Sequence, residues 1–199
     1  MHKVFISFHS SDIGYKDSLV KFNEDNPIFI DGSVDTRDIS DDLPDDRIRQ
    51  KIRDEYLRDS TVTILLVGQG TKGRKHVDWE VYSSMYDGIV NKRSGVIAVL
   101  LPGANPGNHY TAAHDNEKTT IYPETTSWTS IDSREKYERR YPYLPARIID
   151  NLLSKKVKLS VVPWEKLNTK TLPLLIENAY ESRTSNQYDL SRAMRRANA

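Results

Sequence analysis

Thr61-Val62-Thr63-Ile64-Leu65-Leu66-Val67, running into Gly68-Gln69-Gly70-Thr71-Lys72-Gly73, is the stretch that decides the fold. It is a nearly continuous apolar, β-branched run of strand length. Such a run reads as a strand buried on both faces, the mark of a parallel sheet covered by helices. After the glycines a helix is expected to begin near His76, with Val77, Val81, Ser84, Met85 and Gly88 along one face.

The same alternation extends in both directions. Val4-Phe5-Ile6-Ser7-Phe8 reads as a strand closed by His9-Ser10-Ser11-Asp12, and a short helix follows over about 15–23. Pro27-Ile28-Phe29-Ile30 reads as a second strand, cut off by Asp31-Gly32. Pro44 suits the first turn of a helix, which Ile48, Ile52, Tyr56 and Leu57 continue. Gly95-Val96-Ile97-Ala98-Val99-Leu100-Leu101 is a further buried strand, stopped by Pro102-Gly103. Residues 145–153 and 172–180 read as helices and 158–162 as the fifth strand. Strands alternating with helices give an α/β, flavodoxin-like, doubly wound parallel five-stranded sheet with helices on both faces, in the order 2-1-3-4-5. Residues 1–183 form the domain. Within it, 102–143 is a long irregular insertion, expected to be functional or disordered. Residues 184–199 form a basic tail with no evident need for it in the core.

Composition excludes several classes. Lys+Arg total 29 against 28 Asp+Glu, a net charge of +1, which argues against a nucleic-acid binder and against disorder. Without cysteine there is no disulfide, thiolate nucleophile or Cys-based zinc site. No apolar run approaches the ~20 residues that span a membrane. Met1 to Phe8 reads as a strand without the long apolar core of a secretory signal, so a cytoplasmic protein is expected.

In this strand order the topological switch lies between strands 1 and 3, and a ligand crevice is expected beyond their C-terminal ends. Residues 9–12 and 68–75 border it, and the following helix carries Glu80 into the same region. Phe8 and His9 offer flat rings for stacking, although Phe8 also reads as a core residue. Gly68, Gly70 and Gly73 match G-x-G-x-x-G, a spacing that lets backbone N–H groups approach a phosphate, with Arg74 or Lys75 to offset its charge. A flexible connection reads equally well. The dinucleotide fingerprint also needs an acid at the end of the next strand. That strand ends Leu100-Leu101-Pro102, so a hydride-transfer enzyme is rejected. A phospho-receiver fails because strand 1 ends Phe8-His9-Ser10 without paired acids. Trp79 either walls the pocket or packs on a neighbouring helix; it lies about 100° around the helix from Glu80. Seven aspartates between 31 and 46 lack a calcium-loop pattern and include no His or Glu, so no metal site is assigned. That loop is expected to be mobile in the free chain, since like charges without apolar contacts give low local stability. By position alone, Glu80 reads as a first-turn acid favoured by the helix dipole.

Val4-Phe5-Ile6-Ser7-Phe8-His9-Ser10-Ser11-Asp12 resembles the opening strand and loop of TIR domains. Residues 60–68 and then His76-Val77-Asp78-Trp79-Glu80-Val81 resemble their third strand and catalytic helix start. Pro145-Ala146-Arg147-Ile148-Ile149-Asp150-Asn151 is similar to a segment of the bacterial TIR-like group that includes the TIR subunit of the Thoeris anti-phage system. One departure is that many TIR enzymes place a Trp-Cys pair before the glutamate, where this chain has Asp78-Trp79. The resemblance implies that Glu80 is the catalytic carboxylate of an NAD-cleaving enzyme. NAD is then substrate, with no separate cofactor, and the product is an ADP-ribose-derived, cyclic signal received by a separate effector protein. It also implies a homo-oligomer through TIR surfaces. The alternative is a non-catalytic interaction module that binds another TIR-containing chain.

Overall fold

The structure is a computed structural model that describes residues 1–33, 40 and 42–199. Five strands, β1 (Lys3–Ser7), β2 (Ile30–Asp31), β3 (Val62–Val67), β4 (Gly95–Leu100) and β5 (Ser160–Pro163), form one all-parallel sheet in the order β2-β1-β3-β4-β5. The topology is the one expected from the sequence. Strand alternation divides the apolar side chains between two faces. Val62, Ile64 and Leu66 of β3 pack with Val4, Ile6 and Val99 beneath α1 (Ile13–Asp25), α4 (Asp115–Ile121) and α7 (Thr171–Ser182). Leu65 and Val67 face the opposite way, toward α3 (Lys75–Met85), α5 (Arg134–Arg140) and α6 (Ala146–Leu152). A third cluster joins Phe5 of β1 to Ile48 of α2 (Asp45–Lys51), Ile52, Leu57 and Trp79.

Several local expectations change. β2 covers only Ile30 and Asp31, because Asn23 of α1 takes the preceding backbone for itself. Its Oδ1 accepts from Ile28 N and Phe29 N, each at 2.9 Å, and its Nδ2 donates to Phe29 O. Only Ile30 and Asp31 remain to pair with Lys3 and Val4. Pro44 is the cap of α2 rather than its first residue, and α2 widens into a π-helical turn over Ile52–Leu57. The wider turn suits the five-residue step between buried Ile52 and Leu57. α3 ends at Met85, short of Gly88.

The insertion over 102–143 is structured: it carries α4 and α5. Glu117 anchors it, 1% exposed, accepting from Ser160 Oγ of β5 (2.6 Å), Ala113 N (3.1 Å) and Asn178 Nδ2 of α7 (3.0 Å). These are polar anchors with little apolar periodicity, which is why the sequence looked irregular. Residues 34–39 and 41, within the acidic loop whose mobility was anticipated, lie outside the described residues. Asp45 and Asp46 form the first turn of α2, where the helix dipole favours acids. Among the described residues no helix is long and apolar enough to cross a membrane.

Candidate active site at the ends of β1 and β3

Ser7 is the last residue of β1, and its side chain turns to the α3 face because Ile6 turns to the other. Its Oγ donates a 2.6 Å hydrogen bond to Glu80 Oε2. Both groups are buried, Ser7 completely and Glu80 to 7% exposure. A carboxylate at this depth is costly unless hydrogen bonds compensate for lost water. A hydroxyl donor aimed at it is such a compensation, and it also fixes the side chain's rotamer. One turn along α3, Ser84 Oγ donates to Glu80 O and contacts Thr63 Oγ1 of β3 at 2.8 Å. The helix is thereby registered on the sheet by polar contacts as well as by Val77 and Val81.

The loops after β1 and β3 meet above this pair. A Cβ built on Gly68 would lie 2.3 Å from Asp12 Oδ2, and one on Gly70 would lie 3.2 Å from His9 Nδ1. Arg74 caps α3 and donates from Nε to Gly70 O at 3.1 Å. His9 Nδ1 accepts from Ser11 N, which leaves the proton of the neutral ring on Nε2. Burial holds the His9 pKa below the ordinary histidine value, and the Arg74 charge lowers it further, with Asp12 opposing. Burial pushes the Asp12 carboxyl above its usual value, outweighing His9, Ser11 and Thr71. His9, Asp12, Gly68, Gly70 and Arg74 thus form one compact cluster at the switch point.

The positions of the anticipated residues differ in kind. His9, Gly68, Gly70 and Arg74 are brought together by the contacts between the two loops, and Glu80 meets Ser7 at the end of β1. Phe8 is half-buried and packs with the cluster beneath α1 and α7, on the other side of the sheet from Glu80. Trp79 does not wall the crevice. It is fully buried among Phe5, Ile48, Ile52 and Met194, and its indole N–H donates to Arg195 O at 2.8 Å. The indole's large apolar area and single donor are both satisfied there, 100° around the helix from Glu80. In the glycine loop, Gly68 lies against the Asp12 carboxylate and Gly70 against the His9 ring. Gly73 is covered in turn by Ala199, whose N–H donates to Gly73 O at 3.0 Å. The glycines permit close packing of the two loops.

Two residues went unnoticed in the sequence. Ser7 stood inside an apolar strand run, where a fully buried hydroxyl must find a partner. Asp12 was read as the end of a loop bordering the crevice, with no role of its own. No local signal predicted its contact with Gly68, 56 residues away.

Residues 5–106, just over half of the chain, match the family model described as Thoeris protein ThsB, TIR-like domain. The chain belongs to this Thoeris TIR-like family. No curated protein matches it. Membership supports a role in anti-phage defence and is compatible with NAD processing. The matched region holds β1, β3, α3 and β4, and therefore both loops of the crevice and Glu80.

Proposed function

We propose that this Thoeris TIR-like domain cleaves the bond between nicotinamide and ribose in NAD, with Glu80 as the catalytic carboxylate. The observation that carries the reading is the buried Glu80 side chain, held by Ser7 Oγ at the switch point of a doubly wound sheet. Nicotinamide leaves as a neutral base from a cationic ring, so the bond's electron pair returns to the ring nitrogen and no general acid is required. The deficit lies on the ribose, which becomes oxocarbenium-like. A preoriented carboxylate in a water-poor site offsets that charge at the moment it develops. Arg74 supplies the positive charge at the loop that a pyrophosphate requires. Water completes hydrolysis to ADP-ribose, whereas a second nucleophile of the same molecule gives a cyclic isomer. The family supports the cyclic product, a signal read by a separate effector, and assembly through TIR surfaces.

Glu80→Gln tests this reading. The substitution is nearly isosteric, and its carbonyl still accepts from Ser7, so the fold is retained. Loss of the charge is expected to reduce NAD cleavage by about 10²–10³-fold or more. NAD consumption and its products are followed by chromatography, with and without an extract of infected cells. Turnover at the wild-type level in a folded Glu80→Gln protein sinks the assignment.

A further inference from the structure

Beyond α7 the chain does not leave the domain. Asn186 is 1% exposed and is bound to Lys158 at both N and O. Asp189 exchanges two hydrogen bonds with the Asn151 side chain of α6. From there the segment runs antiparallel to α3 without helix or strand of its own. Arg147 of α6, 1% exposed, donates to Arg192 O (2.9 Å) and Ala193 O (3.2 Å). The same guanidinium forms a bidentate pair with Asp78 of α3, at 2.8 and 3.0 Å. Arg195 N then donates to Asp78 Oδ2 at 2.9 Å, and Arg195 O accepts from Trp79 Nε1. Met194 is buried with Trp79 and Ile52. Asn198 Oδ1 accepts from Lys75 N in the first turn of α3.

These contacts fall on the two residues that precede Glu80 and on the helix start that carries it. α3 is therefore clasped from two sides, by Ser7 of β1 on the inside and by this segment on the outside. An open pocket of about 90 Å³ adjoins the outer clasp, lined by Asp46, Arg49, Tyr82, Leu190 and Met194 among others. A segment held by hydrogen bonds, without helix or strand of its own, is easier to lift than a helix.

We infer that residues 192–195, with Arg147 as their anchor, are a positioning device for Glu80. By holding Asp78 and Trp79 they set the rotation of α3 that brings the carboxylate to Ser7. Lifting the strap lowers the rate of the chemical step and leaves substrate affinity in place, because no strap residue reaches the His9–Gly70 cluster. The inference rests on the NAD reading for its kinetic part, while its structural part does not.

Two full-chain variants test it. Met194→Glu places a charge under the strap, and Arg195→Pro deletes the backbone N–H that the strap gives to Asp78. Met194→Leu is the conservative control. The readouts are amide hydrogen exchange in α3 against α7, and kcat and KM for NAD. In both test variants α3 is expected to exchange at least about tenfold faster while α7 is unchanged. The same variants should lose about tenfold in kcat with KM within about twofold, and Met194→Leu should match the wild type in both measurements. Unchanged α3 exchange overturns the inference. So does faster exchange with unaltered kcat, which would make the strap a stabilising contact alone, or a rise confined to KM. If the wild-type protein cleaves no NAD under any condition, the NAD reading fails, and the exchange of α3 still decides whether the strap holds the helix.

Discussion

Ser7 and Gly68 show how single residues shape the region at the ends of β1 and β3. Ser7 Oγ donates to the Glu80 carboxylate, and a hydrogen bond to a charged group contributes about 1.5–3 kcal/mol. Ser7→Ala is therefore expected to lower NAD turnover by roughly tenfold, since 1.4 kcal/mol corresponds to tenfold in rate. Glu80→Gln should cost more, because it removes the charge and not its orientation. Equal turnover in Ser7→Ala and wild type would show that the hydroxyl does not set the carboxylate. At Gly68 the constraint is space. A methyl there would meet the Asp12 carboxylate at 2.3 Å. Gly68→Ala should force Asp12 off the loop at a cost of about 1–3 kcal/mol in stability. A urea midpoint unmoved by this change would mean that the two loops do not pack as described.

At the scale of elements, β4 and α7 approach most closely at Gly95. A Cβ added there would lie 2.0 Å from Ala179 O, which is backbone and cannot rotate away. Gly95→Ala is expected to destabilise the domain by about 3 kcal/mol, read as a lower urea midpoint at an unchanged slope. A midpoint within error of wild type would contradict the packing of α7 on the sheet. The elements also show where sequence periodicity succeeds and fails. β3 and β4 were legible because both their faces are buried, so an uninterrupted apolar run was their only possible pattern. β2 was misplaced because Pro27-Ile28-Phe29 is apolar for a different reason: it packs against α1 while the Asn23 side chain holds its backbone. α4 and α5 were missed because seven-residue helices offer barely two turns of pattern, and Glu117 anchors the first through a carboxylate rather than an apolar stripe.

For the whole molecule, three histidines share one sign. Burial holds the pKa values of His9, His109 and His114 below the ordinary value, with Arg74 adding to the effect at His9 and Arg140 at His109. In the unfolded chain these rings take up protons near pH 6.5, while the folded protein resists protonation until lower pH. Between those values the unfolded state binds more protons, so stability rises with pH across that window. It should be full above about pH 7 and fall as the pH drops through 6.5 toward the depressed folded values. Asp12, whose pKa is raised, works in the opposite direction at more acid pH, around the carboxylate range. Urea midpoints at pH 7.5, 6.5 and 5.5 measure the trend. A midpoint that holds steady or increases on acidification across this range would show that the rings are not kept neutral by the fold.

The α/β class, the strand order and the position of Glu80 in the helix after β3 were legible in the sequence alone. Each follows from local pattern or from topology, because strands buried on both faces are predominantly apolar and a parallel sheet needs a helical crossover between strands. Which groups meet at the ends of β1 and β3 was decided only by the tertiary structure. Asp12 covers Gly68, His9 covers Gly70, and Ser7 reaches Glu80 across 73 positions of chain. Trp79 and the segment beyond α7 carry the same lesson, since a tail that looked solvated supplies Met194 to the core and two backbone partners to α3. The contacts of Arg195 with Asp78 and Trp79 are a backbone N–H and carbonyl meeting distant side chains, and a backbone group has no residue identity for the sequence to display.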